Sequence, residues 1–187
     1  MSPIIHGFDW PDRFVVGTVG EPGSRTFYLQ VRQRSEIFSV ALEKQQSAVL
    51  AERLDEILTE LGAQEGNPFS VPASTPEGIL DNDPLDQPVE EQFRVGAMSL
   101  GWDPSTAQIV IEAVPLEQED DEDASDQGDP DDTEPRQVLA VRVPVGAARA
   151  FAERTREVVG AGRPICSLCR QPMDPEGHVC ELPDGFR

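Results

Sequence analysis

Short β-branched runs and helically spaced apolar stripes follow one another along the chain in a fixed order. "DRFVVGTVG" groups Phe14, Val15, Val16 and Val19, and "RTFYLQVRQ" and "EIFSVALE" follow across turn residues that include Pro22 and Gly23. These three segments read as strands joined by tight connections. In "KQQSAVLAERLDEILTELGA", Val49, Leu50, Leu54, Ile57, Leu58 and Leu61 recur at three- and four-residue steps, which predicts a helix over 44–62 with Gly62 at its end.

The same order recurs downstream. "FRVGAMSLGW" resembles "FVVGTVG", with Gly96 in the place of Gly17; "TAQIVIEAVPL" and "RQVLAVRVPV" supply two further strands. The helix predicted over 145–161 carries "FAER", Phe151 to Arg154, against "LAER", Leu50 to Arg53. The offset is 79 at the first strand (93 − 14) and 101 at the helix (151 − 50), so 22 extra residues lie between. An internal duplication accounts for the pattern. The expected fold class is α+β: two tandem β-β-β-α halves with antiparallel sheets, followed by a C-terminal zinc knuckle. The divisions are a first half over 1–63, a Pro-rich linker over 64–89, a second half over 90–162 and a tail over 163–187.

Composition changes the picture in two segments. Residues 64–89 hold five prolines and predict an extended connection. Residues 117–134, "EQEDDEDASDQGDPDDTE", contain eleven acids and no base, which predicts a disordered loop inside the second half. The net charge of −20 argues against a nucleic-acid ligand and favours a basic protein partner. No run of eighteen apolar residues predicts a membrane span, and the N-terminus lacks the pattern of a secretory signal. All three cysteines fall in the last 22 residues, which fits a reducing cytoplasm better than a disulfide framework.

Those cysteines carry the strongest chemical signal. Cys166, Cys169, His178 and Cys180 have the spacing Cys-x2-Cys-x8-His-x1-Cys, with "MDPEG" as a turn between the pairs. Three thiolates and one imidazole close a tetrahedral zinc shell and leave no position for water, the arrangement of a structural rather than a hydrolytic site. Two alternatives are a thioredoxin-like redox pair, which would sit at a helix start where Pro172 opposes a helix, and a disordered tail, which would need every cysteine in the chain to fall there by accident.

Elsewhere the candidates are weak. His6 reads as a surface or capping residue, and Trp10 and Trp102 as covers for core edges. "GTVGEPG" lies between strands and reads as a hairpin rather than a phosphate cradle. Ser99 has no histidine near it in sequence. Glu43, Lys44, Gln45 and Gln46 gather at a helix start, where capping accounts for them unless they line a groove.

"PDRFVVGTVGEPGSRTFYLQ", "FRVGAMSLGWD" and "GRPICSLCRQPMDPEGHVC" together resemble an actinobacterial family of conserved proteins without an assigned reaction, some of them termed repeat proteins. The resemblance spans both halves and the tail and departs in the two linkers. It implies a cytoplasmic protein of high-GC actinobacterial origin. It also implies a gene neighbourhood with histidine-phosphatase-like and kinase-like proteins, and so a phosphate-related pathway.

Three functions compete at this level. The first is a non-enzymatic zinc-binding adaptor acting through protein–protein contacts, favoured by the closed shell, the acidity and the lack of a catalytic constellation. The second is an enzyme or ligand-binding protein with its site between the halves, using Arg25, Glu43, Lys44, Gln45 and Arg94. The third is nucleic-acid binding by the knuckle, where Arg163 and Arg170 are opposed by Glu176, Glu181 and Asp184.

Overall fold

A computed structural model describes residues 3–116, 136–162, 166–169, 171 and 173. The elements are β1 (Ile4–Asp9), β2 (Arg13–Val19), β3 (Thr26–Gln33), β4 (Glu36–Leu42), α1 (Lys44–Gly62), β5 (Glu91–Asp103), β6 (Gln108–Pro115), β7 (Gln137–Pro144) and α2 (Val145–Gly160). The six strands and two helices read from the periodicity are all present. A seventh strand not expected from the periodicity, β1 ("IIHGFD"), pairs parallel to β7 from Ile4↔Gln137 to Asp9↔Arg142.

Whether the halves share a sheet is not readable from the sequence; they form one mixed sheet in the order β1-β7-β6-β5-β4-β3-β2. Each half contributes an antiparallel three-strand meander, β2-β3-β4 and β5-β6-β7. The halves join through a parallel β4–β5 contact, Ser39↔Glu91 and Ala41↔Arg94. α1 and the following segment carry the chain from the end of β4 back to the start of β5, and such a return makes the two strands parallel.

The sheet is strongly curled. β1 and β4 stand four strand steps apart in the order, about 19 Å if the sheet were flat. Yet the Phe8 and Phe38 ring centroids are 6.0 Å apart, and His6 and Phe38 only 4.5 Å. The two edge strands, β1 and β2, are consecutive in the chain, with only residues 10–12 between them. Gln33 donates to the Asp9 carbonyl (3.1 Å) and the Arg34 amide to Asp12 (2.5 Å), so the curl brings this junction against the β3–β4 hairpin.

Alternate residues of the strands fill the interior: Leu29 and Val31, Val40 and Leu42, Ile109 and Ile111, Leu139 and Val141. Leu50, Leu54 and Leu58 of α1 and Phe151 of α2 close over them. The helices pack antiparallel. Asp55 accepts from Arg149 (3.0 Å) and pairs with Arg156, while the Lys44 ammonium lies beside Gly162 at the other end. Phe14 of β2 stacks on Phe151 at 4.3 Å, which fixes α2 over the first strand of the opposite half.

Residues 64–89, expected as an extended connection, have no helix or strand and are tied down along their length. Phe69 meets Trp102 edge-on at 4.8 Å, and Arg149 donates to the Pro72 carbonyl at 3.2 Å. Thr75 bonds Glu153, and Val71 and Leu85 are buried. The acidic loop predicted over 117–134 lies outside the described residues. No described helix is long and apolar enough to cross a membrane.

Candidate binding grooves

The segment after α1 reaches the β2 edge and is gripped there by three arginines. Arg13 donates to Asp81 from Nε (2.6 Å) and Nη2 (3.0 Å), and to the Asp83 carbonyl (2.9 Å). Its Nη1 stands 3.3 Å from Asp86, which also accepts from Arg32 at 3.0 and 3.1 Å. Arg154 of α2 donates to the Val16 carbonyl (2.9 Å) and the Asp83 carbonyl (2.7 Å), and also bonds the Asp81 carbonyl. Gln30 closes the strap from beneath, giving one hydrogen bond to Asp86 and taking one from it.

The electrostatics follow from this geometry. The hydrogen bond from Arg13 holds the Asp81 carboxyl below its ordinary range, and the same bond raises Arg13. Burial, which strips water from the guanidinium, pushes Arg154 down. Gly17 allows the strap to close. A Cβ at Gly17 would stand 2.5 Å from Leu85 Cγ, so any larger residue would lift Leu85 off β2. Gly96 is in the same predicament against the Leu116 backbone, at 2.6 Å from Leu116 Cα.

Beside the strap lies a cavity of about 440 Å³, walled by Trp10, Phe14, Ile79, Val143 and Phe151, with Arg13, Arg154, Asp12 and Asp81 among its polar groups. Trp10 stands at its mouth, 60% exposed and with a left-handed backbone (φ 52°). A second groove of about 640 Å³ runs between α1 and β5, over Val49, Leu50, Ile57, Met98 and Leu100.

The helical walls of these two grooves correspond. Gln45, Gln46, Val49, Leu50 and Arg53 line the α1 groove; Gly146, Ala147, Ala150, Phe151 and Arg154, each 101 residues later, line the α2 cavity. Asp55 and Arg156 have the same offset and pair with each other across the helix interface. A third groove, about 800 Å³, lies between α1 and α2. Its walls carry Glu52, Asp55, Glu56 and Glu60 against Arg156 alone.

The residues picked from the sequence are dispersed. Cys166 is buried and Cys169 half-buried on a turn over 167–169, closed by the Cys166 amide on the Gln171 carbonyl at 2.9 Å. His178 and Cys180 lie outside the described residues, as do Arg163 and Arg170; among the described residues no three possible ligands cluster. Arg25 caps α2, donating to the carbonyls of Val158 (3.1 Å) and Ala161 (2.9 Å). Glu43 pairs with Arg94 at 2.7 Å, and Gln46 accepts from the Glu43 amide and donates to the Val95 carbonyl. Of the five groove candidates, only Gln45 lines one of these three grooves; Arg25 and Lys44 meet the end of α2, and Glu43 and Arg94 pair at the start of α1.

His6 is half-buried against Phe38 and bonded to Gln137 at 3.2 Å, a packing role rather than a surface one. Trp102 packs as expected, whereas Trp10 is mostly open to solvent. Ser99 pairs with Glu112 at 3.2 Å on an exposed strand. Arg13, Arg154 and Asp81 are not among the sequence candidates; the "FAER"–"LAER" match marks Arg154 and the aspartates of 81–86 mark Asp81, while Arg13 carries no such signal.

Residues 6–180 match the family model described as "Protein of unknown function (DUF3090)". No curated protein and no solved structure matches the chain.

Proposed function

We propose that this chain, which belongs to the DUF3090 family, is a non-enzymatic adaptor that binds a basic protein partner, with a structural zinc holding its tail. The acidic groove between α1 and α2 carries the reading. Four carboxylates line it with Arg156 as the one basic lining residue, two of them already paired (Asp55 with Arg149 and Arg156, Glu56 with Arg53), on a protein of net charge −20. Carboxylates in such a concave surface attract a lysine- or arginine-bearing partner and speed its approach.

The zinc reading rests on ligand spacing and on the turn that carries Cys166 and Cys169. Cys166, Cys169, His178 and Cys180 would hold the ion, which would stabilise a small tail by roughly 10–16 kcal/mol. The β-β-β-α halves read as repeats of one unit, supported by the constant offset of 101 along the two groove walls. The reading also places the protein in the cytoplasm.

Co-purification from the native host, repeated with Glu52→Lys combined with Glu56→Lys, tests the adaptor. A partner recovered by the natural chain and lost from the variant supports it; the same partner recovered equally by both refutes the helix contact. A second reading is favoured by the cavity under Trp10, which lies between the halves and has an apolar wall with a few polar groups. A small molecule carried through purification in that cavity, with no protein partner, would establish this reading instead.

A further inference from the structure

Two grooves with corresponding helical walls lie beside the two helices, and among the described residues the chain's own strap lies in only one of them. At α2, the segment after α1 lies along the groove: Ile79 lines it, Pro76 and Ile79 stand over Gly146, and Arg154 holds the carbonyls of Asp81 and Asp83. At α1, the counterpart Arg53 is 66% exposed at its side chain and pairs with Glu56 at 2.9 Å. Val49, counterpart of Ala150, is 42% exposed over the partly buried Met98 and Leu100.

We infer that the α1–β5 groove binds an extended segment of a partner protein, one with an apolar anchor residue and a lysine or arginine beside it. The chain's own strap is the template for the extended conformation. Arg154 grips that strap mainly through main-chain carbonyls, which any sequence offers, so Arg53 can hold a foreign segment in the same way. The apolar floor takes the anchor, and methionine lets that floor adapt to its shape. Glu56 and Glu60 on the rim select the basic residue by charge. This inference rests on the adaptor reading and on the equivalence of the two halves.

The test uses the full chain and a fluorescent heptapeptide, ILKNKPL, in which the strap's own ILDNDPL has lysine at both aspartates. Anisotropy should show saturable binding, weakened roughly tenfold by Arg53→Ala and at least as much by Val49→Arg. Both side chains are exposed, so thermal unfolding of these variants should match the natural chain. Double replacement of Glu56 and Glu60 by lysine should reverse the preference toward ILDNDPL. Absence of saturable binding, or equal binding by Val49→Arg, overturns the inference. So does binding that appears only after residues 181–187 are deleted, which would make the chain's own tail the occupant. A native partner that depends on Glu52 (which lines only the α1–α2 groove) while the peptide fails would refute this inference and leave the adaptor standing. Peptide binding as expected with no native partner recovered would do the reverse.

Discussion

At the scale of single residues, the strap latch decides most. Arg154 is buried with an exposure of 5%, and truncating it would take a donor from the Asp81 carboxylate and from the carbonyls of Val16, Asp81 and Asp83, of which Asp83 keeps Arg13. Arg154→Ala should therefore cost about 3 kcal/mol, read from urea unfolding, whereas its exposed counterpart Arg53→Ala should cost less than about 0.5 kcal/mol. The latch also depends on pH. Because the folded state holds Asp81 below its ordinary 3.8, its contribution is present above that value and lost as pH falls through the depressed one. The Asp86 amide, which donates to Gln30, should lose hydrogen-exchange protection below about pH 4. Asp81→Asn should lack that acid step and expose the strap already at neutral pH. An unchanged acid profile in Asp81→Asn would assign the step to another carboxyl, such as Asp103, which Ser105 and Arg142 also hold low.

At the scale of elements, the two "FxVG" strands show why similar local sequence meets different surroundings. Gly17 faces a leucine side chain and Gly96 faces backbone. Leu85 can swing aside at a cost of about 1–3 kcal/mol, so Gly17→Ala should fold with a loosened strap. Gly96→Ala must move the main chain of residues 115–116 and should be the more destabilising of the two in the same unfolding assay. The start of α1 is similar in kind. Gln46 satisfies the Glu43 amide and also the Val95 carbonyl, so Gln46→Ala should lose about 1 kcal/mol and loosen β5 along with the helix. For the tail, chelation should remove one zinc per chain from the replete protein and leave the unfolding transition of the sheet and helices in place. Cys169→Ser should fail to hold the ion in elemental analysis, and full zinc content in that variant would remove Cys169 from the ligand set.

At the scale of the whole molecule, charge sets how a partner arrives and the grooves set where it stays. Eleven uncompensated carboxylates in 117–134 are costly to desolvate, yet they act over about 8 Å at physiological salt. Deleting 118–134 should slow association and flatten its salt dependence while leaving dissociation nearly unchanged. A much faster dissociation would place the loop inside the interface.

The elements themselves were legible because each is set by local periodicity. Alternation in "TFYLQVRQ" and the three-four spacing in "VLAERLDEILTEL" need no distant partner to be read. Even the counterpart positions of the helices, Arg53 with Arg154 and Asp55 with Arg156, could be aligned from sequence. β1 escaped because "IIHGFD" is short, mixed in polarity and stabilised by β7, more than 130 residues away. Only the tertiary structure joined β4 to β5, curled the sheet until His6 met Phe38, and turned a proline-rich linker into a strap. Those outcomes depend on pairings between distant segments, and no local pattern encodes them. The two arginines at matching helix positions make the point most plainly. One is buried against the strap's carbonyls and the other is exposed beside Glu56, a difference set by where the strap lies and not by the helix sequence.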